Sequence, residues 1–160
     1  MPLQLPTVKD VRDLFEDTLG RSITVSPTNP LLVQNTASML VSVYVDEKLK
    51  LGAVVGMNFP LTVYAGAAIG LLPPGGAKEA VAARIIPPPV AENIQEVCNI
   101  MTILLNREGA GHLRLYKVYM PGEIVPSDAS SALLALGRRI DLTVAVGGYG
   151  EGRLAISLVG

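Results

Sequence analysis

Two carboxylates and one amide follow each other at helical spacing in the middle of this 160-residue sequence. Glu92, Glu96 and Asn99 stand at positions i, i+4 and i+7, which places their side chains in one row along a helix. Two like charges four residues apart repel each other and weaken an isolated helix slightly. No Lys or Arg lies between Arg84 and Arg107 to compensate them. The row suggests a cation supplied by another molecule, but these residues alone favour an ordinary solvated helix face.

The row belongs to an amphipathic segment, and we predict one helix of about five turns over Pro89–Asn106. Prolines 87–89 stand at its start, where proline is tolerated, and Gly109 follows its end. Ile103 is the only large apolar residue on the polar side. The apolar side is formed by Val90, Ile94, Val97, Cys98, Met101, Leu104 and Leu105.

The chemistry-bearing residues elsewhere are few. The single cysteine, Cys98, lies on the apolar side of this helix, where a small core residue is the expected role. The single histidine, His112, stands at a predicted strand start and cannot form a His-rich metal site. The sequence shows neither a nucleophile–base pair nor a metal-ligand cluster, which argues against a small-molecule enzyme with its own pocket.

Composition predicts one domain over residues 1–160. Hydrophobic residues make up 49% of the chain and charged residues 17%, and this apolar excess indicates a surface covered by another subunit. The net charge of −1 gives no overall field that would attract nucleic acid or an acidic membrane. We therefore expect no nucleic-acid partner.

The apolar segment Phe59–Leu72 is shorter than the roughly 20 residues that a membrane-spanning helix needs. It ends in a Pro-Pro-Gly-Gly sequence, and we predict a buried helix capped by Asn58, with a small-residue surface facing the central helix. The first ten residues lack the basic start and continuous apolar stretch of a signal peptide. We expect a cytoplasmic protein with no membrane contact.

The order of predicted elements indicates an α+β fold, because strands precede and follow a helical block. Helices are predicted over Thr7–Leu19, Phe59–Leu72, Ala77–Ile86, Pro89–Asn106 and Ser127–Leu136. Strands are predicted over Arg21–Val25, Thr36–Asp46, Leu49–Asn58, His112–Met120, Arg139–Val146 and Arg153–Val159. The second and third strands should form an antiparallel hairpin, and the last two should be joined by a glycine-rich turn at Gly147–Gly152.

Local signals mark the ends of two helices. Thr7 is the predicted N-cap of the first helix, with Asp10 at the third position after it and Gly20 as its stop. Ser127 or Asp128 is the predicted cap of the last helix. The Gly147–Gly152 segment lacks a GK[ST] sequence and a following helix, so a nucleotide-binding loop is poorly supported.

With these elements in place, the chain resembles the CheC/CheX family of chemotaxis phosphatases, and its single-motif CheX branch in particular. The motif of that family is an acidic or serine residue, Glu four residues later, Asn three further on, and Pro about two dozen residues beyond. Here these positions are Glu92, Glu96, Asn99 and Pro121. The resemblance implies a mixed or antiparallel sheet packed against a pair of long helices, and it extends over roughly residues 36–159.

The resemblance also implies a function, which is loss of phosphate from the aspartyl-phosphate of a CheY-like response regulator. Glu96 would pair with the active-site lysine of the regulator, and Asn99 would orient the attacking water. Phosphoryl transfer requires mainly positioning and charge neutralisation, and the regulator would hold the magnesium ion. The chain would need no cofactor or metal of its own. The branch further implies a homodimer joined through its sheets.

Three positions depart from the family pattern. Glu92 replaces the more common Asp or Ser, and Pro121 lies one residue nearer than the commonest spacing. Ile103 stands where a small residue commonly follows the Asn, so it could hold a partner's loops away or form an apolar contact with them. Two functions therefore remain open, a regulator phosphatase and a non-catalytic interaction module of the same fold.

Overall fold

In the part of the chain that the structure describes, six antiparallel strands form one sheet in the order β1-β5-β6-β3-β2-β4. The computed structural model describes residues 3–30, 38–107 and 112–159 of the chain. The strands are β1 Ile23–Pro27, β2 Met39–Val45, β3 Leu51–Asn58, β4 Arg114–Tyr119, β5 Arg139–Val146 and β6 Gly150–Leu158. The helices are α1 Val8–Leu19, α2 Phe59–Ile69, α3 Pro74–Ala83, α4 Pro88–Ile100, α5 Thr102–Leu105 and α6 Ser127–Leu134.

The predicted α+β class is confirmed, with a fully antiparallel sheet. Helices α2 and α4 pack against each other as the central pair, and α2 also lies against β6. Helix α1 packs on β1, while α6 packs on β3 and β6 from the opposite side of the sheet. No helix among the described residues is long and apolar enough to cross a bilayer.

Strand β2 shows how side-chain alternation separates the two sides of the sheet. Met39, Val41, Val43 and Val45 belong to the apolar cluster beneath α6. Tyr44 belongs to the larger cluster beneath the helix layer. The predicted β2–β3 hairpin is confirmed, with antiparallel pairing along the whole of β2. Residues 31–37, which include the start of the predicted strand, lie outside the described residues.

Helix α2 begins as predicted, since the Asn58 Oδ1 accepts the Leu61 backbone N–H at 3.2 Å. Its small-residue surface faces α4, which is also as predicted. A Cβ at Gly66 would lie 2.8 Å from the Val90 backbone oxygen, so glycine is what permits this close approach. The Asn93 side-chain amide donates to the Gly66 carbonyl at 3.0 Å and fixes the two helices relative to each other.

The predicted single central helix is wrong, because regular helix ends at Ile100 and resumes at Thr102 as the short α5. Met101 has a ψ of −14°, which is closer to a 3₁₀ turn than to an α-helix. The Leu104 N–H accordingly bonds the Met101 carbonyl three residues back, at 3.0 Å. Ile103 is therefore carried by a different helical segment from the acid–amide row.

The glycine-rich turn between the last two strands is shorter than predicted. Strand β5 ends at Val146 and β6 begins at Gly150, so two of the expected turn glycines lie in the strand. The reason is packing against α2: a Cβ at Gly152 would lie 2.5 Å from the Leu61 backbone nitrogen, and one at Gly150 would lie 2.8 Å from the Tyr64 ring.

Three smaller boundaries also differ. Helix α3 begins at Pro74 rather than Ala77, because proline suits a first helical position. Strand β1 lies two residues later than predicted and ends at Pro27, on the sheet edge where proline is tolerated. The cap predicted for α6 is wrong: its N-cap is Pro126, without a side-chain hydrogen bond, and Asp128 accepts the Ala129 N–H instead.

Candidate functional site

Helix α4 is oriented by its apolar face. Val90, Ile94, Val97 and Cys98 are each 1% exposed or less and pack into the main core. The helix begins after Pro87 without a side-chain cap, so its orientation depends on this packing and on the contacts with α2. Its opposite face is consequently fixed towards solvent.

Glu92, Glu96 and Asn99 form an exposed row on that opposite face, which we call the α4 row. All three lie within the uninterrupted part of α4, so they span about 10 Å along one side of the helix. None of the three side chains has a hydrogen bond or ion pair with another described residue. The predicted geometry is thus present, and both carboxylates and the amide are free to engage another molecule.

Ile103 follows Asn99 by four residues and lies on α5, beyond the break in the helix. Its side chain is 60% exposed. It lines a shallow cleft of about 220 Å³ between α5 and α1. The other residues of this cleft are Asp10, Asp13, Leu14, Asp17, Leu104 and Arg107. An exposed isoleucine beside the polar row offers a partner an apolar contact there.

An ion pair joins α1 to the end of α5. The Arg107 guanidinium lies 2.7 Å from Asp10 Oδ2, and Asp10 also completes the predicted capping box with Thr7. The Thr7 backbone N–H, the Thr7 hydroxyl and the Arg107 charge hold the pKa of the Asp10 carboxyl below its ordinary value of 3.8, with the backbone bond contributing most. One carboxylate therefore stabilises both the start of α1 and the position of α5.

Pro121 lies on a separate element, in the turn that follows β4. The Glu123 N–H donates to the Met120 carbonyl at 2.9 Å, and Gly122 has a φ of +96°, as a Pro-Gly turn requires. The turn closes β4. The role of Pro121 in contacting a partner stays a prediction.

A buried polar chain beneath α4 was missed by the sequence reasoning. The Tyr44 hydroxyl donates to the Cys98 backbone oxygen at 2.6 Å, and the Ser42 hydroxyl donates to Tyr44 at 3.1 Å. The only sequence signal was a Ser and a Tyr two residues apart in an otherwise apolar strand. Burial raises the pKa of the Cys98 thiol to about 12, so this core cysteine stays protonated and is a poor nucleophile.

Within the described residues, no group of three or more His, Cys, Asp or Glu side chains is placed to hold a metal ion. The α4 row has two carboxylates and one amide, and no third acidic ligand joins them among the side chains that the structure describes. That the chain needs no cofactor of its own stays a prediction.

Similarity to solved structures identifies the fold. The middle domain of FliM from Vibrio alginolyticus superposes with a TM-score of 0.56 at 14% identity, covering 95% of this chain and 87% of that one. The chemotaxis protein CheX from Vibrio vulnificus gives 0.55 at 12% identity, covering 96% and 94%. The FliM middle domain from H. pylori gives 0.51 at 6% identity, covering 94% and 84%.

Neither the profiles of known protein families nor the sequences of curated proteins match this chain. The resemblance to CheC/CheX proteins noted from the sequence is confirmed as a shared fold, which the FliM middle domains have as well. The structural similarity extends over nearly the whole chain.

Proposed function

We propose that this protein docks on a phosphorylated CheY-like response regulator and accelerates hydrolysis of its aspartyl-phosphate, in chemotaxis or related signalling. The observation that carries the proposal is the α4 row. Glu96 and Asn99 are exposed, neighbouring and without partners among the described residues, on a helix whose other face is locked into the core. Glu92 and Glu96 carry like charges one helical turn apart and repel each other. A cation supplied by a partner would compensate both carboxylates.

Glu96 and Asn99 have distinct proposed roles in the reaction. The Glu96 carboxylate pairs with the active-site lysine of the regulator and fixes the two proteins in register. The Asn99 amide both donates and accepts hydrogen bonds, so it holds a water in line with the phosphorus. The water oxygen bonds to phosphorus as the bond to the aspartyl oxygen breaks, releasing inorganic phosphate and the free carboxylate. The regulator supplies the magnesium ion.

Glu92, Ile103 and Pro121 contribute to docking rather than to the reaction in this proposal. Glu92 lies one turn before Glu96 and extends the negative end of the row. Ile103 forms an apolar contact next to Asn99, and Pro121 gives a rigid edge to the turn after β4.

The proposal is tested by measuring phosphate loss from a phosphorylated CheY-like regulator with the variants Asn99→Ala and Glu96→Gln. Loss of the amide should slow turnover about a hundredfold, because the water is no longer held in line. Glu96→Gln should weaken binding of the regulator. Gln4→Ala and Glu79→Gln are matched controls, since they change an exposed amide before α1 and an exposed carboxylate on α3. Unchanged turnover in Asn99→Ala would exclude the proposed chemistry.

A second candidate function is a non-catalytic module that binds a receiver domain or a flagellar or signalling component. Two observations favour it: Ile103 replaces the small residue of the phosphatase pattern, and the FliM middle domain has a similarly high TM-score of 0.56. Formation of a complex with the regulator, without any acceleration of phosphate loss, would support this alternative over the first.

A further inference from the structure

We infer that Tyr44 is a positioning residue for Asn99: its hydroxyl holds the peptide group that joins Cys98 to Asn99, and so fixes the end of α4. This inference rests on the proposed function, in which the placement of Asn99 decides the rate. Tyr44 touches neither the regulator nor the phosphoryl group, and acts only through the backbone of α4.

The contact itself is short and completely buried. Tyr44 lies in β2, an interior strand that is paired with β3 on one side and β4 on the other. Its hydroxyl lies 2.6 Å from the Cys98 backbone oxygen and accepts a bond from Ser42 at 3.1 Å. Tyr44, Ser42 and Cys98 are each 0% exposed. A buried hydroxyl with both a donor and an acceptor partner has a single orientation, so the sheet fixes this carbonyl rigidly.

The hydroxyl remains available as a donor at all ordinary pH values. Burial raises the pKa of Tyr44 well above its ordinary value of 10.0, because the phenolate would have to exist in the apolar core. The bond to the Cys98 carbonyl is therefore a permanent feature of the fold.

The position of this bond coincides with the end of the regular helix. In a continuous α-helix the Cys98 carbonyl would accept the Thr102 N–H, yet α4 ends at Ile100. The Thr102 hydroxyl donates instead to the Asn99 carbonyl at 2.8 Å. Asn99 is thus held on both sides, through the carbonyl before it by Tyr44 and through its own carbonyl by Thr102.

This arrangement matters because Asn99 lies in the last turn of α4, one residue before the regular helix ends at Ile100. Residues in the last turn of a helix commonly fray, and a displacement of about 1 Å in a positioning group can cost about a hundredfold in rate. The two bonds keep the Asn99 side chain at a defined height above the sheet.

The inference is tested with Tyr44→Phe, which removes only the hydroxyl, and with Thr102→Val, which removes the second bond near Asn99. Both variants should lower kcat for regulator dephosphorylation about tenfold to a hundredfold. Affinity for the regulator should change less than twofold in Tyr44→Phe. Tyr149→Phe is the matched control: it removes another buried tyrosine hydroxyl that donates to a backbone carbonyl, that of Leu72 after α2, and kcat should stay within about twofold. Equal kcat in Tyr44→Phe and wild type would overturn the inference.

A double variant separates this inference from the proposed function. If Tyr44 acts through Asn99, Tyr44→Phe should have no further effect on kcat in an Asn99→Ala background. Fully additive losses would overturn the inference while leaving the proposed function intact. An Asn99→Ala variant with unchanged turnover would instead refute the proposed function.

NMR spectroscopy tests whether the Tyr44 hydroxyl positions this peptide group, and it needs no turnover assay. The ¹³C signal of the Cys98 carbonyl and the side-chain amide signals of Asn99 should move in Tyr44→Phe. They should stay near their wild-type positions in Tyr149→Phe. Unmoved signals in Tyr44→Phe would show that the hydroxyl does not position this peptide, whatever the partner of the protein is.

Discussion

Ile103 is the residue on which the two candidate functions differ most. It is 60% exposed beside the α4 row, and it stands on α5 rather than on α4 itself. An isoleucine there either occupies an apolar recess of the partner or keeps the partner at a distance from Asn99. Burial of such a side chain in an interface contributes about 1.5–3 kcal/mol, so its removal should be easily measured.

We predict that Ile103→Ala weakens binding of the regulator about tenfold while leaving kcat unchanged, because an apolar contact is lost. Isothermal titration calorimetry and a turnover assay measure the two quantities. Ile85→Ala is the matched control, since Ile85 is 61% exposed on the loop after α3. Faster turnover in Ile103→Ala would contradict the prediction and identify the side chain as an obstacle.

The α4 row itself could be predicted from the sequence, because the spacing of Glu92, Glu96 and Asn99 depends only on the helical repeat. Tyr44 could not be predicted, because its partner is 54 residues away and is a backbone atom rather than a side chain. Local periodicity contains no information about such a contact. It required the three-dimensional arrangement of β2 beneath α4.

At the scale of elements, the start of α1 and the end of α5 are joined by a single carboxylate. Asp10 accepts the Thr7 N–H at 2.8 Å, and its Oδ2 lies 2.7 Å from the Arg107 guanidinium. The capping box was predictable from Thr7 and Asp10, three residues apart. The ion pair was not, because it joins two elements that are distant in the sequence.

We predict that Asp10→Asn lowers Tm at pH 7 and that the difference from wild type shrinks as the pH falls below 3.8. The sign follows from the lowered pKa of Asp10 in the folded protein: the stabilisation is fully present above the unfolded pKa and is lost as the pH falls through the folded one. Thermal unfolding followed by circular dichroism at several pH values measures this. Asp17→Asn, on the same helix, is the control. A difference that stays constant down to pH 2 would contradict the assignment.

The break between α4 and α5 shows why element boundaries were only partly predictable. The apolar periodicity continues through Met101 into Leu104 and Leu105, so the sequence indicated one helix over Pro89–Asn106. All three of those residues are indeed buried. Periodicity does not indicate that the Tyr44 and Thr102 hydroxyls compete for backbone carbonyls at the end of α4.

Packing of α2 on β6 gives a second prediction at this scale. Gly152→Ala should destabilise the protein by about 1–3 kcal/mol, because its Cβ would lie 2.5 Å from the Leu61 backbone nitrogen. Gly137→Ala is the control, since a Cβ there would meet nothing within 4 Å, and its effect should be within about 0.5 kcal/mol. Urea denaturation measures both. Equal stabilities would show that α2 lies further from β6 than described.

At the scale of the whole molecule, the two sides of the sheet are covered unequally. The helix layer buries one side, whereas α6 alone packs on the other side within the described residues. Exposed apolar side chains lie on or beside α6, namely Ile124, Leu134 and Leu136. Part of the apolar excess inferred from composition is therefore exposed on the side away from the α4 row.

We predict a homodimer whose interface includes the α6 side of the sheet, because a second copy would bury these apolar side chains. Sedimentation equilibrium should give twice the monomer mass for the wild type. The double variant Ile124→Lys, Leu136→Lys should shift the protein towards monomer, whereas Leu71→Lys, an exposed leucine after α2, should not. A wild type that sediments as a monomer at all concentrations would contradict the prediction.

A multiple-turnover assay distinguishes the proposed phosphatase from the non-catalytic binding module. One part of this protein is added to about one hundred parts of a CheY-like regulator phosphorylated on its aspartate, and release of inorganic phosphate is followed with time. We predict that many regulator molecules lose phosphate per molecule of this protein, and that Asn99→Ala slows this turnover about a hundredfold. Phosphate release at the regulator's own rate would contradict this prediction and favour the binding module.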